Sequence, residues 1–166
     1  MARRKIKEPV EPWFFKGQPI EVLSEEDLNL YYGFIYKITN KETGQFYIGK
    51  KNLHSYKTLV KHVLNERTNR MNKVREVLVS ESNWRDYFGS SVEIKTAVKE
   101  LGKSAFSREI LLFVTTKKQL TYYEAKYQFE TGCIEPGVSS YNSNIFGRFF
   151  PGDFYSEDSL DELEDE

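Results

Sequence analysis

The stretch from residue 33 to residue 51 constrains this chain most. Residues 33–39 read Gly-Phe-Ile-Tyr-Lys-Ile-Thr and residues 46–51 read Phe-Tyr-Ile-Gly-Lys-Lys, with Asn-Lys-Glu-Thr-Gly-Gln between them. Aromatic and β-branched runs on either side of turn-forming residues predict an antiparallel hairpin. Alternation along the return strand puts Tyr47, Gly49 and Lys51 on one face and Lys50 on the other.

The other segments add to this hairpin. Residues 106–114 end in the apolar run Ile-Leu-Leu-Phe-Val, which predicts a third strand, central and covered on both faces. Ser90 and Glu93 form a capping-box pattern, followed by Ile94, Ala97, Val98 and Leu101 at helical spacing and by Gly102 as a stop. A second helix is predicted over 118–131, with Leu120, Tyr123 and Tyr127 on one side. Residues 13–22 fit a short hairpin around Lys16-Gly17, Ser24 fits a helix N-cap, and residues 82–88 a helical turn ended by Gly89. Residues 53–80 are basic and only weakly periodic; part is expected to be helical, with a flexible piece near 65–72. With 166 residues, one domain is expected. The fold class is α+β: a small, three-stranded, mainly antiparallel sheet flanked by helices. It spans 33–150, with an N-terminal extension (1–32) and an acidic, disordered tail (151–166).

Charge is divided along the chain. The formal net charge is −1, from 24 Lys and Arg against 25 Asp and Glu. Eight of those acids lie in residues 153–166, which carry no base; the remainder has 24 bases against 17 acids, an excess of seven. Lys50, Lys51, Lys57, Lys61, Arg67, Arg70, Lys73 and Arg75 crowd into 26 residues beside Glu66. Such a strip suits a polyanion, although a solvated helix or loop face would look the same.

Several chemistries lack their residues. There is no Gly-rich phosphate loop, no His-Glu-x-x-His and no EF-hand loop. The single cysteine, Cys133, allows neither an intramolecular disulfide nor a cysteine zinc cluster, and fits a reducing compartment. No apolar run approaches the ~18 residues of a membrane span, and no apolar signal region follows the basic N-terminus, so a non-membrane, cytoplasmic protein is expected.

The pair Phe34-Ile35-Tyr36 and Tyr47-Ile48-Gly49-Lys50, with tyrosines eleven apart, resembles the GIY-YIG nuclease family. The helix, strand, helix and Tyr-Asn series that follows extends the resemblance from about residue 33 to Asn142. Tyr-Ile-Gly-Lys-Lys, Glu-Ser-Asn-Trp, Tyr-Phe-Gly-Ser-Ser and Phe-Ser-Arg-Glu-Ile-Leu make it most similar to a phage-type, homing-endonuclease-like branch. The sequence departs from the family at Phe34, where glycine is usual. It also lacks an arginine on the segment after the second strand, where Lys57 is nearest.

The resemblance implies a metal-dependent DNA endonuclease acting in a phage-infected cell, with no small-molecule cofactor. It places the motif tyrosines at Tyr36 and Tyr47, the metal-binding glutamate at Glu124 and the late asparagine at Asn142. The ion would be Mg²⁺ or Mn²⁺, for which a single carboxylate plus waters suffices.

The residues themselves leave alternatives beside each role. Glu124 shares the apolar side of its helix with Leu120 and Tyr127, so it must be paired with a lysine such as Lys118 or Lys126, hold a metal, or be protonated. The two tyrosines could simply pack across the hairpin; as bases they need a neighbouring cation, because an ordinary tyrosine has a pKa near 10. Lys51, on the face of Tyr47, is the candidate to do part of the missing arginine's work, and Gly49 would leave room for a phosphate. Lys50, Lys57, Lys61, Arg67, Arg70, Arg85 and Arg108 are candidate contacts to nucleic acid; one of Arg108 and its neighbour Glu109 should face inward. Asn142 would either support the site or serve as a turn residue. The rival function is a nucleic-acid-binding or structural phage protein that keeps the fold without cutting. A protein-interaction module built on Phe149-Phe150-Pro151 and the acidic tail is a third.

Overall fold

A computed structural model describes residues 10–154. Of the first ten residues, which the sequence reads as a frayed arm, and of the expected tail at 151–166, residues 1–9 and 155–166 lie outside the described residues; Pro151–Asp153 form a 3-10 turn. In chain order the elements are β1 (Trp13–Phe15), β2 (Gln18–Ile20), α1 (Glu25–Leu30), β3 (Gly33–Asn40), β4 (Phe46–Asn52), β5 (His54–Asn65), β6 (Arg70–Glu81), α2 (Val92–Leu101), β7 (Phe106–Val114) and α3 (Lys117–Glu130). Among the described residues, no helix is long and apolar enough to cross a membrane.

The α+β class holds, but the sheet has five strands rather than three, in the order β2-β1-β7-β3-β4. β7 is the central strand, as its apolar run predicts; it runs antiparallel to β3 and parallel to β1. The two added strands come from the expected N-terminal extension. Phe14 and Phe15 pair with Glu109 and Ile110, while Trp13 is 1% exposed and donates its indole N–H to the Trp84 carbonyl at 2.7 Å. A tryptophan beside two phenylalanines supplies enough apolar surface to hold so short a strand on the sheet.

The predicted hairpin is β3–β4, with Tyr36 opposite Gly49 and Ile38 opposite Tyr47. One sheet face packs Phe34, Tyr36, Ile38 and Tyr47 with Trp13, Trp84, Ile94, Phe106 and Ile110; the other packs Ile35, Ile48 and Val114 under Leu120 of α3. Tyr123 and Tyr127 join that second cluster, as their spacing predicts. The helices start at side-chain caps: Ser24 accepts from the Asp27 N–H, Thr116 from Gln119 N–H, and Ser91, one residue later than expected, from Ile94 N–H. Gly102 stops α2 with φ +85°, a conformation that favours glycine.

Residues 53–80 hold no helix. β5 and β6 form a separate two-stranded antiparallel arm of twelve residues per strand, and the expected flexible piece near 65–72 is its tip. Thr58, Val60, Val63, Val74, Val77 and Val79 give both strands β-branched side chains. At the tip Asn65 Oδ1 accepts from the Arg67 and Thr68 N–H groups and Asn69 sits at φ +49°, which closes the turn.

Candidate active site

β4 is an edge strand, so both of its faces open onto the same rim of the sheet. Along that rim lies a cleft of about 340 Å³. Tyr47 and Lys50 of β4, Glu124 and Gln128 of α3, and Ser90 and Ser91 at the start of α2 line it, with residues 142–147 closing one side.

The local sequence holds β4 rigid there. The Ile48 N–H donates to Asn142 Oδ1 at 2.9 Å, and the Ile48 carbonyl accepts from Asn142 Nδ2 at 2.8 Å and Gln128 Nε2 at 3.2 Å. Ser140 Oγ donates to Asn142 Oδ1 at 3.1 Å. Asn142 thus takes the place of the next strand on the exposed edge, satisfying backbone groups that burial would otherwise leave unpaired.

Gly49 is needed for its size. A Cβ there would lie 2.5 Å from Tyr36 Oη, 2.6 Å from its Cζ and 2.8 Å from Tyr47 Cε1. Its absence lets the two tyrosine rings meet with centroids 6.0 Å apart. Tyr36 is fully buried beneath this contact, and its hydroxyl has no partner in hydrogen-bonding geometry. Burial, then the nearby Tyr47 and Tyr87, push its pKa well above 10. Tyr47 reaches the cleft wall, where its hydroxyl lies 3.2 Å from Ser90 Oγ. Its pKa is also raised, chiefly by burial and against the lowering effect of Ser90. Both phenols therefore keep their protons at neutral pH in this state.

The predicted helical carboxylate is in the cleft with a partner. Glu124 Oε2 meets Lys50 Nζ at 2.8 Å, and Lys50 also donates to Thr121 Oγ1 at 3.3 Å. The partner is Lys50, not Lys118 or Lys126; Lys126 bridges to Glu130 instead. Among the described residues no group of three or more His, Cys, Asp or Glu could hold a metal. The donor set nonetheless fits a hard divalent cation: Glu124 supplies the carboxylate, hydroxyl and amide oxygens ring the cleft, and its volume admits waters for the remaining positions.

Lys51 is displaced from its expected role. It does share Tyr47's face, yet its ammonium donates to Asn83 Oδ1 at 2.8 Å and sits 4.1 Å from the Tyr87 ring centroid, outside the cleft. Burial lowers its pKa. Alternation placed it correctly; what alternation does not convey is that α3 covers the opposite face, where Lys50, opposed to Ile35, meets Glu124 directly.

Arg108 is corrected as a nucleic-acid contact. It is the inward-facing member of its pair with Glu109, 2% exposed, and its guanidinium donates to the Arg85, Tyr87 and Glu11 carbonyls. Burial brings its pKa down to about 10. It clamps the N-terminal strands and the segment before α2 to β7. Arg85 bridges to Glu81 at 3.0 Å and lies over Trp84, lining a different depression with Trp13 and Arg108. Trp84 is part of the core. Lys57, Lys61, Arg67 and Arg70 all lie on the arm, and Lys61 pairs with Glu76.

The sequence reading missed Gln128, Ser90, Ser91, Ser143, Asn144, Phe146 and Gly147 as cleft residues. Gln128 had a signal, since it lies four residues, one helical turn, after Glu124. Phe146 had none: it lines the cleft half exposed at φ +57°, in a loop anchored by buried Ile145 and by the Gly147 N–H donating to Asn144 Oδ1 at 2.8 Å.

Residues 13–145 match the family model described as "Putative endonuclease segE, GIY-YIG domain". No curated protein and no solved structure matches the chain. The matched span runs from the first residue of β1 to the buried Ile145 beside the cleft, and includes the arm.

Proposed function

The chain belongs to the GIY-YIG endonuclease domain family, and from that premise we propose that it is a phage-encoded, metal-dependent DNA endonuclease acting in the cytoplasm of the infected cell. The observation that carries the reading is the meeting of Lys50, Glu124 and Tyr47 in one cleft on the edge of β4. A phosphodiester needs a cation on its non-bridging oxygens, a positioned water and help for the leaving oxygen.

Lys50 is the cleft's ammonium and the side chain for the phosphoryl oxygens, a role the sequence reading gave to Lys51. Ser90 and Ser91 stand at the N-terminus of the ten-residue helix α2, whose backbone favours negative charge there. Tyr47, at the cleft wall, is the tyrosine that meets the substrate; Tyr36 lies beneath Gly49 and supports its ring. At neutral pH Tyr47 offers an O–H that can orient a water or protonate a leaving oxygen. It becomes a general base only when added positive charge lowers its pKa. Glu124, with water and neighbouring hydroxyls, would hold Mg²⁺ or Mn²⁺. Such an ion supplies charge neutralisation at the phosphate and lowers the pKa of water. Asn142 and Gln128 position the strand that carries Tyr47 and Lys50.

Cleavage of supercoiled plasmid with Mg²⁺, Mn²⁺ or EDTA tests this. Nicking that needs the metal and disappears in Glu124→Ala is expected. The alternative, a DNA-binding protein that does not cut, draws on the Lys50–Glu124 bridge, in which each charge neutralises the other. Salt-sensitive binding without nicking by the wild type under any metal would establish that alternative and overturn the nuclease.

A further inference from the structure

The β5–β6 arm is 28 residues that the cleft chemistry does not use. Its strands pair only with each other, and nearly every side chain on both is exposed. An isolated hairpin of this length is marginal in water. It also exposes Tyr56, Val60, Leu64, Met71, Val77 and Val79, between 47% and 60% accessible. These features point to a partner that covers it.

Register separates the two faces. Opposed residues point the same way, so Tyr56–Val79, Thr58–Val77, Val60–Arg75, His62–Lys73 and Leu64–Met71 share one face. That face carries Lys73, Arg75 and His62 at its centre, apolar side chains toward both ends, and no acid from Tyr56 to Val79. The arm's Lys61–Glu76 ion pair lies on the other face. At the root, Tyr56 stacks on Tyr32 with centroids 6.4 Å apart. There a second depression is lined by Lys50, Lys51, His54 and Tyr56. Lys50 lines both this depression and the cleft, so the two adjoin at that residue, with Glu124 and Glu81 as the acids beside it.

We infer that the β5–β6 arm is a duplex-reading ribbon, laid by its Thr58–His62 and Lys73–Val77 face in the major groove of DNA beside the cut site. The inference rests on the reading of DNA as the substrate. The size fits: a major groove about 12 Å wide admits a two-stranded ribbon. Twelve residues at about 3.3 Å each span about 40 Å, close to one duplex turn of about 34 Å. The chemistry fits as well. Lys and Arg meet guanine O6 and N7, while Thr and apolar side chains meet the thymine methyl. A second copy of the chain fits less well, because two-fold docking about the centre of this face would oppose Arg75, Lys73 and His62 to their own copies.

The test uses the full chain in three forms: wild type, Lys73→Ser with Arg75→Ser, and a variant in which residues 57–78 are replaced by Asn-Gly, joining the opposed Tyr56 and Val79. Binding to a labelled 40-base-pair duplex is measured in EDTA at several salt concentrations. Guanine N7 is probed with dimethyl sulfate, cutting with supercoiled plasmid and Mg²⁺, and mass by sedimentation. The double variant should bind about tenfold or more weakly at 0.15 M salt, with the salt slope reduced by about two. The shortened variant should lose guanine N7 protection over about one turn and should reach wild-type nicking of plasmid only at about tenfold or more higher protein concentration. Wild-type cutting with protection and salt slope unchanged in both variants overturns the ribbon and leaves the nuclease standing. A fall in mass with protection unchanged assigns the arm to self-association and also overturns it. A wild type that neither binds nor cuts DNA removes both readings together.

Discussion

β3–β4 and β5–β6 are both hairpins of consecutive antiparallel strands, yet one is the most buried part of the molecule and the other the most exposed. In β3, Phe34, Ile35, Tyr36 and Ile38 have no accessible surface, whereas every residue of β6 is exposed. The difference follows from side-chain order. In β3 both alternating sets are apolar, so a cover forms on both faces: aromatic side chains on one, α3 on the other. In the arm each set mixes branched apolar residues with bases, so neither face can be buried by this chain alone. Backbone pairing makes a hairpin in either case; only continuous apolar content makes it core.

Gly49→Ala should break the comparison most severely. The new Cβ would collide with two tyrosine rings that are themselves packed. Overpacking at about 1–3 kcal/mol or more, with displacement of Tyr47 from the cleft wall, should lower the melting temperature and abolish cutting. Ile48→Ala, fully buried, should cost about 2–5 kcal/mol. Val60→Ala and Val77→Ala on the half-exposed arm should each cost under about 1 kcal/mol. Urea unfolding of the four variants checks this, and an arm variant as costly as Ile48→Ala would show the arm to be part of the core.

The next contrast is between neighbours on β4. Glu124→Gln and Lys50→Met should each slow cutting about 100-fold or more, the scale of removing one preorganised electrostatic partner. Lys51→Met, whose ammonium is held by Asn83 and Tyr87, should slow it far less. Single-turnover rates at saturating protein separate the two lysines; equal losses would restore Lys51 to the site.

How far the sequence carried these conclusions differs between the two hairpins. β3–β4 was legible to within one residue at its strand ends, because strand chemistry, turn chemistry and tyrosine spacing agree at 33–51. Glu124 was legible as an acid on an apolar helix face, but its partner Lys50 was not, since no local pattern says which face of β4 α3 covers. For Arg108 the inward-facing alternative was weighed and holds; its carbonyl acceptors come from residues 11, 85 and 87, far apart in sequence. The arm was misread because its Lys, Glu and Leu are good helix formers at loose helical spacing. The opposing signals were Val63, Val74, Val77 and Val79, and two twelve-residue runs placed evenly about Glu-Arg-Thr-Asn.

Asn142→Ala probes the edge that makes the cleft. It removes both side-chain bonds to Ile48 and strands a buried N–H, for a cost of about 1–3 kcal/mol. The same change at Asn72, on the exposed arm, should cost under about 0.5 kcal/mol. Amide exchange at Ile48 should quicken in Asn142→Ala, and unchanged protection there would mean that Gln128 and α3 alone secure the strand.

The smallest effect is at alkaline pH and comes from the bottom of the same hairpin. Burial holds the folded-state pKa of Tyr36 well above the value near 10 that it has in the unfolded chain. From about pH 10 upward the unfolded chain therefore binds fewer protons at this residue than the folded one, and stability falls as pH rises. Tyr47 acts in the same direction. Lys51, with a lowered pKa, acts in the opposite one: the folded protein loses that proton first, so stability rises with pH up to about 10.5. Tyr36→Phe removes the first contribution alone. Its hydroxyl has no hydrogen-bond partner to lose, so the variant should match or slightly exceed the wild type below about pH 9. Its advantage should widen above about pH 10, where ionisation of Tyr36 in the unfolded chain favours unfolding of the wild type. A stability difference that stays flat from pH 7 to 11 would mean that Tyr36 is solvated in solution, and that the cleft reaches beneath Gly49 to both tyrosines rather than to Tyr47 alone.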